Sequence, residues 1–371
     1  MHTLEEYLEK PYLLLTPGPL TTSNEVRLAM LKDWCTWDKE YNNLVQDVRK
    51  RLVELAEASP EKYTAVLMQG SGSFGVEAVI GTVVPKDGKL LVLANGAYGN
   101  RMGEIAQVLN INYRIEKFGD KEGINLERVR EILEEDKDIT HLSVVHSETT
   151  SGILNPITEI GKLAKDFGKI YIVDAMSSFG GVKIEIEKTG ADFMISSSNK
   201  CIQGVPGFSF IICKKSELEK CAGQARSLAL DIYSQWKVME EQNGKWRFTS
   251  PTHTVRAFYQ AMLELEKEGG IEAREKRYRT NNRILREGMR ELGFETLISD
   301  ELQSPIITTF LAPKSEKYSF ERFYLNLKKA GFVIYPGKVT DVESFRIGNI
   351  GEVYPEDIYA LLKAIKNAIE W

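Results

Sequence analysis

Four short stretches of the chain hold residue types that could act on one reacting centre. The first is Gly70-Ser71-Gly72-Ser73-Phe74-Gly75, which follows the apolar run Tyr63–Gln69 and opens a helical stretch, Ser73–Val83. Backbone N–H groups at such a turn point at an anion, and the helix dipole adds favourable potential. The hydroxyls of Ser71 and Ser73 add two more donors, so the turn suits a phosphate. The spacing also fits the dinucleotide fingerprint G-x-G-x-x-G, a nicotinamide oxidoreductase reading that needs an acid at the end of the next strand to hold a ribose. That strand, Lys89–Ala94, ends in Asn95-Gly96, and Asp87 falls before it, so phosphate binding survives and the nicotinamide reading weakens. A glycine-rich turn without a ligand would carry the same residues.

The second stretch runs Tyr171-Ile172-Val173-Asp174. An Asp at the carboxyl end of a parallel strand stands where ligands of such sheets bind. It could pair with a pyridinium nitrogen and keep it protonated, or it could cap a loop. The third is Met194-Ile195-Ser196-Ser197-Ser198-Asn199-Lys200. A lone lysine is usually a solvated surface group. A lysine just past a buried strand is desolvated, which lowers its pKa and gives the neutral amine that attacks an aldehyde. The fourth is Ser344-Phe345-Arg346-Ile347-Gly348, an arginine inside an apolar strand. Its planar fork could take a carboxylate or phosphonate through two hydrogen bonds, or form a structural ion pair. Phosphate turn, strand-end Asp and strand-end Lys in one α/β unit carry more weight together than any one of them alone.

The elements that must position these residues are legible as alternation. Apolar strands at Tyr63–Gln69, Lys89–Ala94, His141–Val145 and Lys169–Asp174 alternate with helical stretches at Ser73–Val83, Arg101–Leu109 and Ile157–Phe167. That pattern predicts a mostly parallel sheet covered by helices on both faces. Two helices, Ser23–Lys32 and Tyr41–Ala58, precede it. Pro206–Phe210 reads as a turn into a buried strand. After Cys213 the pattern changes to two long helices, His253–Lys267 and Ile271–Leu292, broken by Gly269-Gly270. The last part, with short runs at Ile306–Phe310, Phe332–Ile334 and Ser344–Ile347 and helices at Ser319–Ala330 and Pro355–Glu370, predicts a small α+β domain joined by the N-terminal arm.

A chain of 371 residues suits a large domain plus a smaller one. The net charge of -5 argues against a nucleic-acid footprint, which needs a basic excess on one face. No run of eighteen apolar residues is present and the charged N-terminus has no apolar signal core, so neither a membrane span nor a leader is expected. Cys35, Cys201, Cys213 and Cys221 match no zinc or disulfide spacing, which predicts a reduced, cytoplasmic setting.

Taken in order, these motifs resemble the class V, fold-type I pyridoxal-phosphate aminotransferases. Within that family the likeness is greatest to members that act on 2-aminoethylphosphonate and pyruvate. The resemblance runs nearly end to end. It rests on LLLTPGPLTTS (Leu13–Ser23), CTWD (Cys35–Asp38), QGSGSFGVEA (Gln69–Ala78), NGAYGNRM (Asn95–Met102), HSETTSGILNP (His146–Pro156) and VDAMSSFGG (Val173–Gly181). SSNKCIQGVPGF (Ser197–Phe208), KWRFTSPTHT (Lys245–Thr254), SPIIT (Ser304–Thr308), FVIYPGK (Phe332–Lys338) and FRIGNIGE (Phe345–Glu352) complete it.

The resemblance implies an N-terminal arm (1–21), a large cofactor domain (22–270) and a small C-terminal domain (271–371). It implies that Lys200 carries the cofactor as a Schiff base and Asp174 pairs with the pyridine nitrogen. Ser71, Gly72 and Ser73 would bind the phosphate, Tyr98 would stack on the ring, and Thr149 would lie near its 3′-oxygen. Thr249 would reach the phosphate of the neighbouring subunit, which implies a homodimer with shared sites. Arg346 would bind the substrate's acid group, assisted by backbone at Gly18. Trp37 would line the pocket or pack between domains. His146 lies at a strand end near these residues and is expected to be structural. The implied reaction is ping-pong amino transfer, with alanine–glyoxylate or serine–glyoxylate transamination as the alternative within the family.

Overall fold

Six mostly apolar runs and one charged edge strand pair into one sheet, in a computed structural model that describes residues 3, 6, 8–339 and 342–371. Part of the arm expected at 1–21 therefore lies outside the described residues. The strands, in chain order, are β1 (Leu13–Leu14), β2 (Tyr63–Gln69), β3 (Lys89–Ala94), β4 (Asn112–Lys117), β5 (His141–Val145), β6 (Ser147–Glu148), β7 (Ile153–Leu154), β8 (Ile170–Asp174), β9 (Phe193–Ser197) and β10 (Phe208–Lys214). The large sheet has the order β2-β10-β9-β8-β5-β3-β4. Only β10 runs antiparallel to its neighbours. The central strands are buried along their whole length, because helices cover both faces and leave no side of the pleat to water.

Strand positions match the reading from sequence closely at β2, β3 and β5. The edge strand β4 was not anticipated. Its sequence, NYRIEK, is half-exposed and charged, as suits a strand whose outer edge must not recruit another chain, so it carries no apolar run. The helix Leu126–Glu135 after it was also missed. The helix after β3 starts at Ala97, four residues before the expected Arg101, for a reason that lies in the β6–β7 hairpin. The first helix, expected over 23–32, is a short one, Asn24–Leu28, capped by Ser23.

A second, antiparallel sheet is built from β11 (Ile307–Leu311), β14 (Ser344–Gly348) and β13 (Tyr335–Pro336). Its core gathers Phe294, Phe310, Phe323 and Phe345 with the apolar faces of the helices Gly270–Glu291 and Pro355–Ala368. The ring pairs pack edge-on or offset, at centroid distances of 5.5 Å for Phe323–Phe345 and 5.7 Å for Phe294–Phe345. Replacing one such buried ring by Ala costs about 3–5 kcal/mol. The arm strand β1 pairs in parallel with β12 (Phe332–Val333), which fastens the N-terminal segment to this second unit. Gly348 N–H then bonds to the Leu15 carbonyl, so the chain just before Gly18 lies beside β14.

Candidate active site

All the strand-end motifs emerge at one edge of the large sheet. Strands β2, β3, β5, β8 and β9 are parallel and end there, and antiparallel β10 begins there, opposite Gln69 and Ser197. A cavity of about 200 Å³ opens at this edge, lined by Ser71, Gly72, Ser73, Tyr98, Asp174 and Lys200 among others. Cofactor sites in open α/β sheets form at such carboxyl ends.

Ser71 is the N-cap residue of the helix Gly72–Val83, yet its hydroxyl makes no capping bond. The first N–H groups of the helix are thus left for an anion. Gly72 faces Met176, and a Cβ there would lie 2.3 Å from the Met176 sulfur. Arg101 Nη1 donates to Ser73 Oγ at 3.1 Å, so a cation already attends the turn.

Asp174 is buried at the end of β8, and its Oδ1 accepts the Met176 N–H at 2.9 Å. Burial pushes its carboxyl up to about 6, and the nearby Glu148 adds to this. Lys200 and Arg101 act the other way. A pyridinium nitrogen beside it would supply the missing positive partner. Lys200 leaves the end of β9, and Asp174 sits beside Ile195 of that strand. Burial brings the Lys200 amine down to about 8, and the positive Arg346 assists. Its Nζ donates to the Pro17 carbonyl at 2.6 Å. Gly18, at φ 107°, lies directly over it: a Cβ there would stand 2.8 Å from Nζ. The arm therefore covers the lysine, and only glycine fits.

Tyr98 is held by a residue that sequence reading left without a role. Glu148, in the β6–β7 hairpin, is fully buried. Its Oε2 accepts the N–H groups of Tyr98 and Gly99 at 3.1 and 3.2 Å, and its Oε1 accepts from the Thr150 N–H and hydroxyl. It caps the helix Ala97–Val108 from a distant part of the chain, which is why that helix begins at Ala97. Thr149, the next residue, is buried and its carbonyl accepts Arg346 Nη1 at 2.9 Å. Arg346 Nε donates to the Pro336 carbonyl at 3.0 Å. Among the described residues no carboxylate pairs with Arg346, so the ion-pair alternative fails. Its position on β14, between Thr309 and Tyr335, keeps it buried, with Glu148 near enough to favour its charge but not bonded to it.

The structure thus brings together Ser71, Gly72, Ser73, Tyr98, Asp174, Lys200 and Gly18, with Thr149 and Arg346 one contact behind. It does not bring Thr249 or Trp37 into the same chain's cavity. Thr249 is exposed in a separate groove with Lys245 and Phe248. Trp37 is 77% exposed, with Lys245 Nζ 4.7 Å from its ring centroid. His146 is buried and bonds to Ser178 Oγ at 2.9 Å, and burial holds it down at about 3, so it is neutral. Arg101, Glu148 and Lys338 were missed. For Arg101 the available signal was its place three residues after Tyr98, on the same helix face.

The chemistry of the donors fits pyridoxal phosphate. An uncapped helix start with two serines suits its phosphate, the buried Asp174 its ring nitrogen, and the desolvated Lys200 its aldehyde. Among the described residues no cluster suits a metal ion and no helix is long and apolar enough to cross a membrane.

Comparison with known proteins agrees with this chemistry. Residues 29–338 match the family described as aminotransferase class-V. The bifunctional phosphonoacetaldehyde hydrolase/aminoethylphosphonate transaminase of Clostridioides difficile is 62% identical over 361 residues, covering 97% of this chain and 57% of that protein. The chain therefore spans little more than half of this relative. The 2-aminoethylphosphonate–pyruvate transaminase of Bacillus cytotoxicus is 60% identical over 358 residues, covering 96% of this chain and 98% of the relative. Among solved structures, pyridoxamine-pyruvate aminotransferase from Mesorhizobium loti superposes with a TM-score of 0.89 at 26% identity, covering 100% of this chain and 94% of that one. The chain belongs to the class-V aminotransferase family.

Proposed function

We propose that the protein transfers the amino group of 2-aminoethylphosphonate to pyruvate, giving phosphonoacetaldehyde and alanine in a ping-pong reaction. The observation that carries this reading is Arg346: a buried guanidinium held by two backbone carbonyls, with no carboxylate bonded to it among the described residues, and near enough to Lys200 to disfavour that amine's charged form. The near-full-length relative that acts on this pair of substrates supports the choice among class-V reactions. The cofactor is pyridoxal 5′-phosphate, which when bound supplies an electron sink for charge developing at the substrate carbon.

The chain's own residues divide the work as follows. Ser71, Gly72 and Ser73 anchor the phosphate through the helix start. Lys200 would hold the cofactor covalently. With amino substrate bound, its neutral amine would be free to remove a proton from the carbon that bears nitrogen. In the second half-reaction it delivers one to the corresponding carbon derived from pyruvate. Asp174 would keep a proton on the ring nitrogen, Tyr98 would stack on the ring, and Thr149 would lie near its 3′-oxygen. Arg346 takes the phosphonate in one half-reaction and the carboxylate in the other, with Gly18 and the arm covering the site. Residues 1–21, 22–270 and 271–371 form the arm, the cofactor domain and the small domain of this scheme. Thr249 and Trp37 serve the site of a second copy in a homodimer. Four free thiols support a reducing, cytoplasmic setting.

The test is a half-reaction. Loaded protein mixed with 2-aminoethylphosphonate alone should lose its visible band, and pyruvate should restore it with release of alanine. Lys200→Ala should do neither. If serine bleaches the band and 2-aminoethylphosphonate leaves it unchanged, the substrate assignment is wrong.

A further inference from the structure

Three cations crowd the edge of the cavity around Tyr98. The Arg101 guanidinium carbon lies 5.0 Å from the Tyr98 ring centroid, and Lys338 Nζ lies 4.4 Å from the same centroid. Arg346 is close enough to both Lys338 and Lys200 to disfavour their charged forms. Lys338 is half-buried, on the segment just after β13. Burial lowers its pKa, and the charges of Arg101 and then Arg346 add to that. Two acids face it from neighbouring elements, Glu148 and Glu104. Glu148 already accepts four hydrogen bonds, and Glu104 is exposed. Among the described residues Lys338 forms no ion pair. Like charges gathered with no ion-paired acid among the described residues raise the free energy of the site unless an anion completes it.

The proposed function brings two anions here, and the cations divide between them. Arg101 is bonded to Ser73 and so belongs with the cofactor phosphate. Arg346 is left for the substrate, with one positive charge. That matches a carboxylate. A phosphonate carries close to two negative charges near neutral pH, much as a phosphate monoester does. We propose that Lys338 is the second cation of the substrate clamp, and that with Arg346 it selects a dianionic phosphonate over a monoanionic carboxylate. Pyruvate needs Arg346 alone. Lys338 is thus a specificity-determining residue that acts in one half-reaction and not the other. The inference rests on the transamination reading above.

The experiment compares wild type, Lys338→Met and Lys338→Arg as cofactor-loaded protein, with the visible band checking that each is folded and loaded. Dissociation constants for the unreactive probes ethylphosphonate and propionate are measured by calorimetry. Values of kcat/KM for 2-aminoethylphosphonate and pyruvate come from ping-pong kinetics. Lys338→Met should weaken ethylphosphonate about tenfold and propionate by less than about twofold. It should lower kcat/KM for 2-aminoethylphosphonate about tenfold, chiefly through KM, and leave that for pyruvate within about twofold. Lys338→Arg should recover most of the loss. Equal weakening of both probes, or no weakening, overturns the proposal. Should Lys338→Met not load, Lys338→Gln takes its place under the same criteria. Wild type that fails to transaminate 2-aminoethylphosphonate sinks the functional reading instead, while the two probes still decide whether Lys338 reads the second charge.

Discussion

Lys200 and Asp174 are buried charges whose surroundings set opposite tasks. Burial takes the lysine down to about 8 and the aspartate up to about 6, so each is biased toward its neutral form in the ligand-free site. For a lysine, a lowered pKa means that the nucleophilic amine is present above the new value and lost below it. Cofactor-free protein treated with a small amine-reactive aryl sulfonate should therefore label Lys200 with a rate that rises through about pH 8 and then levels. Exposed lysines should go on gaining reactivity to about pH 10.4. Peptide mass spectrometry reads both, and a Lys200 midpoint among the exposed lysines would refute the desolvated site. These two residues, with Ser71–Ser73, were legible in the sequence because each ends or follows a continuous apolar strand, and parallel strands place such ends together. Arg101 showed only through its place three residues after Tyr98, and Glu148 and Lys338 were not legible. Their meaning comes from partners that are distant in the chain, with Glu148 fifty residues from Tyr98 and Lys338 farther still.

At the level of elements, the site depends on where one helix begins. Gly96 has extended backbone and no room for a side chain, since a Cβ would lie 2.4 Å from Glu148. The carboxylate fills that space and gathers three N–H groups and one hydroxyl. Two effects compete in a Glu148→Ala variant. Removing a buried carboxyl, whose pKa burial raises, relieves a desolvation penalty. Leaving three buried N–H groups unpaired costs about 1–3 kcal/mol for each one that water cannot reach. The second effect wins, and the variant should lose about 2–4 kcal/mol in chemical denaturation. Its affinity for pyridoxal phosphate should fall too, because Tyr98 loses its anchor. Glu148→Gln keeps one acceptor oxygen and should sit between. Unchanged stability in both variants would remove the cap from the account of this helix. The same contact explains why sequence periodicity started the helix four residues late: Ala97-Tyr98-Gly99-Asn100 has no apolar stripe, and tertiary capping, not propensity, makes it helical.

The whole molecule leaves two candidate site residues outside its own cavity. Thr249 and Trp37 lie near each other on an exposed face, with Phe248 49% exposed beside them. The family resemblance assigns Thr249 to the neighbouring subunit's site and leaves Trp37 between pocket lining and domain packing, whereas alternation of strands and helices describes one chain and not how copies meet. A second copy that uses this face would place Thr249 at its partner's helix start, next to Ser71–Ser73. The chain of 42.0 kDa should then run as a particle of twice that mass in light scattering. Shared sites make a stronger demand than mass. Lys200→Ala removes the amine of its own chain's site, and Thr249→Glu sets a negative charge against the partner's cofactor phosphate. Each homodimer should be inactive. A heterodimer purified through two different tags has one site with both defects and one site with neither, so it should retain about half of wild-type activity per dimer. Were each site built from a single chain, Thr249→Glu would leave its own homodimer active, because Thr249 lies outside the cavity of its own chain. The outcome separates a dimer that merely forms from one whose chemistry spans two chains.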